Sequence, residues 1–336
     1  GHNNTLPKPF DAPPVELKFK PDASPQSVPE PRWSYAFGKV VRKWAEDGLR
    51  NKSLAVSKSA WASRPHIVLK PPSGKTAATA DMKDCKLRIC GDYRLVNSQI
   101  SKMVPNLPTG THELEKASGH KYYFESDSVA CYNSFVLAPG RSRQALAVWT
   151  PIGLVEPTVL PFGQKNSGTE AQGPYRLASQ NLCNMANYMD DWLSFANTLD
   201  DLLAQFIHFL QMCVKHDITL NCGKTKFGYS SATFFGFNVS EKGTTLADKH
   251  QDPLRTIVPP ADISELRRVL GLFVVSRKYV KNYALLTKPM TDVLRGSQPV
   301  FFWKAEQQQA FEHVKDLLLG GIHLAAPDYS IPFHLS

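Results

Sequence analysis

Two adjacent aspartates, Asp190 and Asp191, interrupt a short apolar stretch, residues 185–195, that reads as strand, turn and strand. No other feature restricts the fold as strongly. Side-by-side carboxylates at a hairpin turn raise each other's pKa and repel unless a cation neutralises them. Hard oxygen donors of this kind suit magnesium. On these residues alone, two solvated turn aspartates are the plainer account, because aspartate is common in turns. A third carboxylate, Asp127, follows the aromatic strand Tyr122-Tyr123-Phe124; by itself it reads equally as a helix N-cap. If its strand lies beside the 185–195 hairpin, three carboxylates converge on one sheet surface. A two-metal phosphoryl-transfer site needs that, with anionic oxygens around two cations about 3.5–4 Å apart.

The chain has 336 residues, 42% hydrophobic and 21% charged, which excludes a disordered chain and leaves room for two or three sub-domains. Its net charge of +9 is compatible with a polyanionic partner without requiring one. Cysteines 85, 90, 131, 183, 213 and 222 make no C-x-x-C pair and fit no zinc spacing, so reduced thiols in an intracellular protein are expected. No apolar run approaches the roughly 20 residues of a membrane span, and the polar, Pro-rich start carries no signal peptide. No membrane association is expected.

Along the chain, 1–32 reads as an extended arm. Helical spacing of Phe37, Val40, Val41 and Trp44 predicts a helix over 33–50 that stops near Gly48. Strands are expected at 66–69 and 87–90, joined by a long loop, then at 121–137 (running into a short turn or helix), twice within 145–162, and at 233–239. A helix is expected over 168–183. Another spans 200–215, with Leu202, Leu203, Phe206, Phe209, Leu210 and Cys213 on one core-facing side. From about 260 the texture turns helical: Asp262 and Glu265 form a capping box, and a helix over 304–319 stops at Gly320-Gly321. An α/β (α+β) body followed by a helical sub-domain is the expected fold class.

The order of short motifs resembles the reverse transcriptases of the gypsy-type (Metaviridae) LTR-retrotransposon and retrovirus lineage. Asp127-x-x-x-x-Tyr132 followed by Tyr188-Met189-Asp190-Asp191 is similar to the palm signature of that family. Trp61-Ala62-Ser63 with 66–70 resembles its first fingers strand, and 87–97 its W-R-x-x-x-D-Y-R-x-L-N block. Leu160-Pro161-Phe162-Gly163 matches L-P-F-G. Leu220-Asn221 with Lys224-Thr225-Lys226-Phe227 resembles L-N-x-x-K-C-x-F, and Phe234-Phe235-Gly236-Phe237 the primer grip. Leu270-Gly271-Leu272, Trp303, Ala310-Phe311 and Lys315 are similar to the thumb and the start of the connection, and Ala12-Pro13-Pro14-Val15 to the segment after the protease. Each block is weak alone; their shared order covers nearly the whole chain.

The resemblance implies a right-hand polymerase whose palm is an antiparallel sheet backed by helices. Its parts would be fingers at 33–101 and 135–166, palm at 102–134 and 167–241, thumb at 242–320, and a connection stub at 321–336 leading to an absent RNase H domain. It implies RNA- and DNA-templated synthesis on a primer 3′-hydroxyl, with primer-template and dNTPs as partners. It further implies a monomer or homodimer, in the cytoplasm or in a virus-like particle. Asp127, Asp190 and Asp191 would hold two Mg2+ ions, with Mn2+ as a substitute, and Ser128 would add a backbone carbonyl. Lys70, Arg88, Tyr132, Phe162, Gln172 and Lys224 would border the nucleotide, and Phe235 and Gly236 the primer end. Arg267, Arg268, Arg277, Lys278 and Lys281 would meet backbone phosphates.

Several positions depart from the family pattern: Cys131-Tyr132-Asn133-Ser134 stands for G-Y-H-Q, Asn166-Ser167-Gly168 for N-A-P, Ala171 for a Phe, and Leu87 for a Trp. These concern the nucleotide pocket and fingers packing rather than the carboxylates. Two other classes stay open: a catalytically silent nucleic-acid-binding or scaffold subunit, and another two-metal phosphotransferase such as a nuclease or nucleotidyl cyclase.

Overall fold

The computed structural model describes residues 6–70, 86–104, 110–274, 277, 280, 282–297 and 299–319. The first helix, α1 (Tyr35–Arg50), starts where Ser34 Oγ accepts the Phe37 N–H at 3.4 Å, an N-cap. Its end falls two residues past Gly48. The helix runs on to Arg50, and a Cβ at 48 would come within 2.5 Å of Leu54 Cδ1, so glycine lets the next strand approach. That strand, β1 (Leu54–Val56), is followed by the antiparallel ribbon β2 (Pro65–Lys70) and β3 (Lys86–Gly91), with Ile67 opposite Ile89. The loop expected between these two lies outside the described residues. Helices α2 (Arg94–Gln99) and α3 (Gly110–Ala117) come next.

The central sheet contains β4 (Tyr122–Asp127). A single 3-10 turn, Cys131–Ser134, and the short α4 (Arg141–Gln144) then lead to the hairpin β5 (Val148–Thr150) and β6 (Gly153–Pro157). These two strands pair with β1 in the order β1-β6-β5. Helix α5 (Ser167–Ser179) ends sooner than the 168–183 expected, and the chain enters β7 (Met185–Tyr188) and β8 (Asp191–Ala196). Helix α6 (Leu199–Lys215) and β9 (Lys226–Tyr229) complete the unit, whose strand order is β7-β8-β4-β9.

Strand period two gives this sheet two buried faces. Phe124, Trp192 and Ala196 point to one core, shared with Leu202, Phe209 and Cys213 of α6 and with Tyr175 of α5. Tyr123, Leu193 and Phe195 point to a second core, built with Leu114 of α3 and with the strands that follow. Leu203 and Leu210, expected on the inner side of α6, are 48% and 37% exposed. The buried stripe is narrower than the apolar one, because Leu202, Phe209, Met212 and Cys213 already fill the contact with the sheet. The single strand expected at 233–239 is two, β10 (Ser231–Phe234) and β11 (Phe237–Ser240), joined by a tight turn at Phe235-Gly236 with φ of 50° and 80°. With β12 (Gly243–Leu246) they form a third sheet.

Helices α7 (Asp248–Thr256), α8 (Ile263–Val274), α9 (Tyr283–Asp292) and α10 (Ala305–Leu319) enclose a separate core around Leu254, Leu266, Phe273, Met290, Phe311 and Val314. The capping at Asp262 is present in altered form: Asp262 Oδ1 accepts the Glu265 N–H at 2.7 Å, while Glu265 reaches back to the N–H of Ala261 at 2.8 Å. The described part of the arm is extended. It forms bridges at Val15–Leu137, Phe19–Ile100 and Ser27–Ala62, and it buries Phe10 against Phe135, Tyr175 and His216. Cys90, Cys131, Cys183, Cys213 and Cys222 are free thiols. Among the described residues no helix is long and apolar enough to cross a membrane.

Candidate active site

The β7–β8 hairpin closes in two residues, Met189 and Asp190, and Tyr188 pairs with Asp191 across it. Strand β4 lies beside β8 in a register that puts Asp127 directly opposite Asp191. Opposed residues of an antiparallel pair have Cα atoms only about 4.5–5.5 Å apart and side chains on one face. The next backbone link ties in the turn: the Ser128 N–H donates to the Asp190 carbonyl at 2.7 Å. All three aspartates therefore gather at one end of the same strand pair. Ser128 is buried beneath them, and its hydroxyl accepts from Trp192 Nε1 at 2.8 Å.

The carboxylate of Asp127 is drawn to Lys224, whose Nζ lies 2.7 Å from Oδ2. Lys224 sits in a turn fixed to the end of β4 by the Asn221 N–H, which donates to the Asp127 carbonyl at 2.8 Å. Beside it, Lys226 reaches Glu125 at 2.9 Å, and Glu125 also accepts the Thr233 N–H at 2.6 Å. Together these residues, with Asp191, Trp192 and Phe234, line a cleft of about 380 Å³. Among the described residues no three His, Cys, Asp or Glu side chains are drawn into a cation-holding cluster. The aspartates share an edge, but the Asp127 carboxylate faces an ammonium group.

On the other side of the turn, Tyr132 stands edge-on to Phe162 at 4.9 Å, and the Arg88 guanidinium lies over the Phe162 ring at 5.4 Å. Such stacking suits a planar cation. Arg88 and Phe162 also border a cavity of about 620 Å³ shared with His66, Asp92 and Arg94. Hydrogen bonding from Arg94 holds the Asp92 carboxyl below its ordinary range. Lys70 ends β2, but its side chain lies outside the described residues. Gln172 is buried, and both ends of its amide are engaged behind the turn rather than on the open face. Phe235 packs on Tyr188 at 4.5 Å, and a Cβ at Gly110 would meet the Phe235 ring at 3.0 Å. Arg267 and Arg268 are exposed on α8, away from buried Leu266 and Val269, and Arg277 is exposed as well. Lys278 and Lys281 lie outside the described residues.

Two contributions escaped the sequence reading. Asn97 Nδ2 donates to the Gly163 carbonyl and its Oδ1 accepts the Lys165 N–H, both at 2.8 Å, which anchors the Phe162 loop to α2. Asn187, next to the Tyr-Met-Asp-Asp turn, is buried and bonded to it. A polar residue alternating into a buried strand position was the one available signal for Asn187.

A carboxylate-bearing antiparallel sheet, backed by helices on one face and followed by a helical sub-domain, defines the class: this is a right-hand polymerase fold. Two solved foamy virus structures share it. The foamy viral protease-reverse transcriptase dRH in complex with ds DNA superimposes with a TM-score of 0.84 at 20% identity, over 97% of this chain and 55% of that one. The same viral protein with dsDNA gives 0.82 at 19%, over 98% and 66%. Residues 75–239 match the family described as Reverse transcriptase (RNA-dependent DNA polymerase). Its relatives include Pol polyproteins of LTR retrotransposons and a retroviral Gag-Pol. The Pol polyprotein from transposon 412 of Drosophila melanogaster is 27% identical over 77% of this chain and 21% of its own length. The Tf2-3 polyprotein of Schizosaccharomyces pombe is 26% identical over 74% and 19%. The Gag-Pol polyprotein of woolly monkey sarcoma virus is 26% identical over 96% and 19%. The chain thus spans about a fifth of the length of these relatives.

Proposed function

We propose that this chain is a DNA polymerase that copies RNA or DNA templates, extending a primer 3′-hydroxyl with dNTPs. The observation that carries the reading is the β4–β8 register: it sets Asp127 opposite Asp191, with Asp190 tied in through Ser128, inside a reverse transcriptase domain. In the reaction the 3′-oxygen bonds to the α-phosphorus while the α-phosphorus–oxygen bond to pyrophosphate breaks. The donor set fits two magnesium ions: all-oxygen, anionic, and already holding one cation in the form of the Lys224 ammonium. Bound there by Asp127, Asp190, Asp191 and the Ser128 carbonyl, such ions supply a lowered pKa for the attacking hydroxyl and charge neutralisation for the leaving pyrophosphate.

The remaining assignments follow from placement. Lys224, once released from Asp127, meets nucleotide phosphates, as does Arg88 from the β2–β3 ribbon together with Lys70. Tyr132 and Phe162 form a wall beside the sugar, and the Phe235-Gly236 turn supports the primer end. The fingers comprise 33–101 and 135–166, the palm 102–134 and 167–241, and the thumb 242–320. Arg267, Arg268 and Arg277 of the thumb face the duplex backbone. The foamy virus proteins of like fold were solved with DNA and with RNA/DNA hybrid, which supports a primer-template as partner here. A monomer or homodimer acting in the cytoplasm, inside the particle of a retroelement, completes the reading.

The test is extension of a labelled primer on RNA and on DNA templates with Mg2+ and dNTPs, beside Asp190→Asn. Template-dependent product from the wild type and none from the folded variant are expected. No product from the wild type would favour a silent nucleic-acid-binding subunit.

A further inference from the structure

The turn that carries Asp190 is unusual in its first residue. Two-residue hairpin loops demand positive φ, which glycine and asparagine adopt cheaply. Here the residue is Met189, at φ 55°, a conformation that is unfavourable for a side-chain-bearing residue and persists only where its surroundings over-determine it. The surroundings are specific. Gln172, on α5 and 1% exposed, accepts the Met189 N–H on its Oε1 at 2.6 Å. Its Nε2 donates to Asn187 Oδ1 at 2.7 Å and, more weakly, to the Asn187 carbonyl at 3.3 Å. Asn187, 7% exposed, turns its own Nδ2 onto the carbonyls of Met189 and Asp191, both at 3.2 Å. Each amide group of the pair therefore has a partner, and four of the five bonds end on the hairpin's own backbone. Gly168, one turn earlier on α5, leaves room for the Met189 side chain: a Cβ there would lie 2.7 Å from Met189 Cε.

We propose that Gln172 and Asn187 form a clamp that holds the Met189-Asp190 turn in its strained shape, and that Gln172 is a positioning residue acting through that turn rather than a nucleotide contact. The inference rests on the polymerase reading for its effect on rate, but not for its effect on the turn. A nucleotide contact needs a free polar end facing the cleft, and Gln172 has none: its amide is spent on Met189 and Asn187. An amide pair buried behind the sheet instead fixes where the Asp190 carbonyl meets the Ser128 N–H, and so where the Asp190 carboxylate stands relative to Asp127.

The experiment uses Gln172→Met, which keeps the volume and removes the amide, with Asn187→Ala and the double variant beside it. Two readouts are taken on the full chain after thermal melting and primer-template binding establish folding. The first is steady-state extension. A misplacement of about 1 Å costs on the order of a hundredfold in rate, so kcat should fall about ten- to hundredfold while the dNTP KM stays within about threefold. The double variant should be no worse than the poorer single. The second is hydrogen–deuterium exchange of the peptide spanning 185–195, which should quicken in each variant while peptides from α8 and α10 stay unchanged. A raised dNTP KM at constant kcat would make Gln172 a nucleotide contact and overturn the proposal; so would unchanged exchange in 185–195. If the wild type makes no product, the polymerase reading falls, and the exchange result alone judges the clamp. Should Gln172→Met not fold, Asn187→Ala carries both readouts.

Discussion

Phe209→Ala should be among the most damaging single core substitutions in the unit that bears the carboxylates. Phe209 is fully buried on α6, with its ring 5.3 Å from both Phe124 and Trp192. Those two belong to β4 and β8, the strands that end in Asp127 and begin at Asp191. Truncation removes the ring and leaves a cavity that helix and sheet cannot both close, which costs about 3–5 kcal/mol. Against a total stability of roughly 5–15 kcal/mol, that lowers the folded-to-unfolded ratio by about a hundredfold or more. The control is Leu203→Ala, one turn and a half away on the same helix and 48% exposed, for which a change within about 0.5 kcal/mol is expected. Urea unfolding followed by Trp fluorescence reads both, since Trp192 lies at the cavity. A loss below about 1 kcal/mol for Phe209→Ala, or equal losses for the two variants, would refute the packing of α6 described above.

Three further outcomes follow from local chemistry. Burial pushes the Cys131 and Cys213 thiols up to about 12, so at pH 8 both should resist alkylation in the native state while exposed Cys183 and Cys222 react; peptide mapping by mass spectrometry reads this, and labelling of Cys131 before unfolding would contradict it. Burial also raises the Glu170 pKa above its ordinary 4.5. The folded state then pays for the charged form wherever pH exceeds the raised value, and the penalty vanishes as pH falls through it to below 4.5. Glu170→Gln should therefore stabilise the protein at pH 7 and not at pH 4, measured by thermal melting at both. Asp262→Ala removes the cap of α8 and should cost about 0.5–2 kcal/mol, with Asp262→Asn recovering most of it.

What the sequence could and could not reveal divides by range of interaction. Hairpin 185–195, the ribbon at 66–69 and 87–90, and helices 200–215 and 304–319 were legible because each depends on a local period and nearby turn residues. The convergence of Asp127 with Asp191 was legible only as a condition, since pairing of β4 with β8 joins residues far apart in the chain. The inner face of α6 was read too broadly: periodicity cannot tell Leu203 from Leu202 once the sheet has room for one stripe. The break at Phe235-Gly236 was missed because phenylalanine seldom takes positive φ, and it does so here by packing on Tyr188 and Phe234. Gln172 was placed at the nucleotide on motif order, whereas its burial and its bonds depend on where α5 lies against β7. The Lys224–Asp127 ion pair likewise needed the fold, because the turn at 221–225 docks on the end of β4 only in three dimensions.

In the proposed mechanism Asp127, Asp190 and Asp191 close around two cations where the primer ends. Anomalous scattering from a crystal of the chain with primer-template, a non-hydrolysable dNTP analogue and Mn2+ would locate those cations. Two peaks about 3.5–4 Å apart are expected, between the three carboxylates and the triphosphate, with the Lys224 ammonium withdrawn from Asp127. A nucleotide bound with no peak at these residues, and with Lys224 still paired to Asp127, would contradict that mechanism.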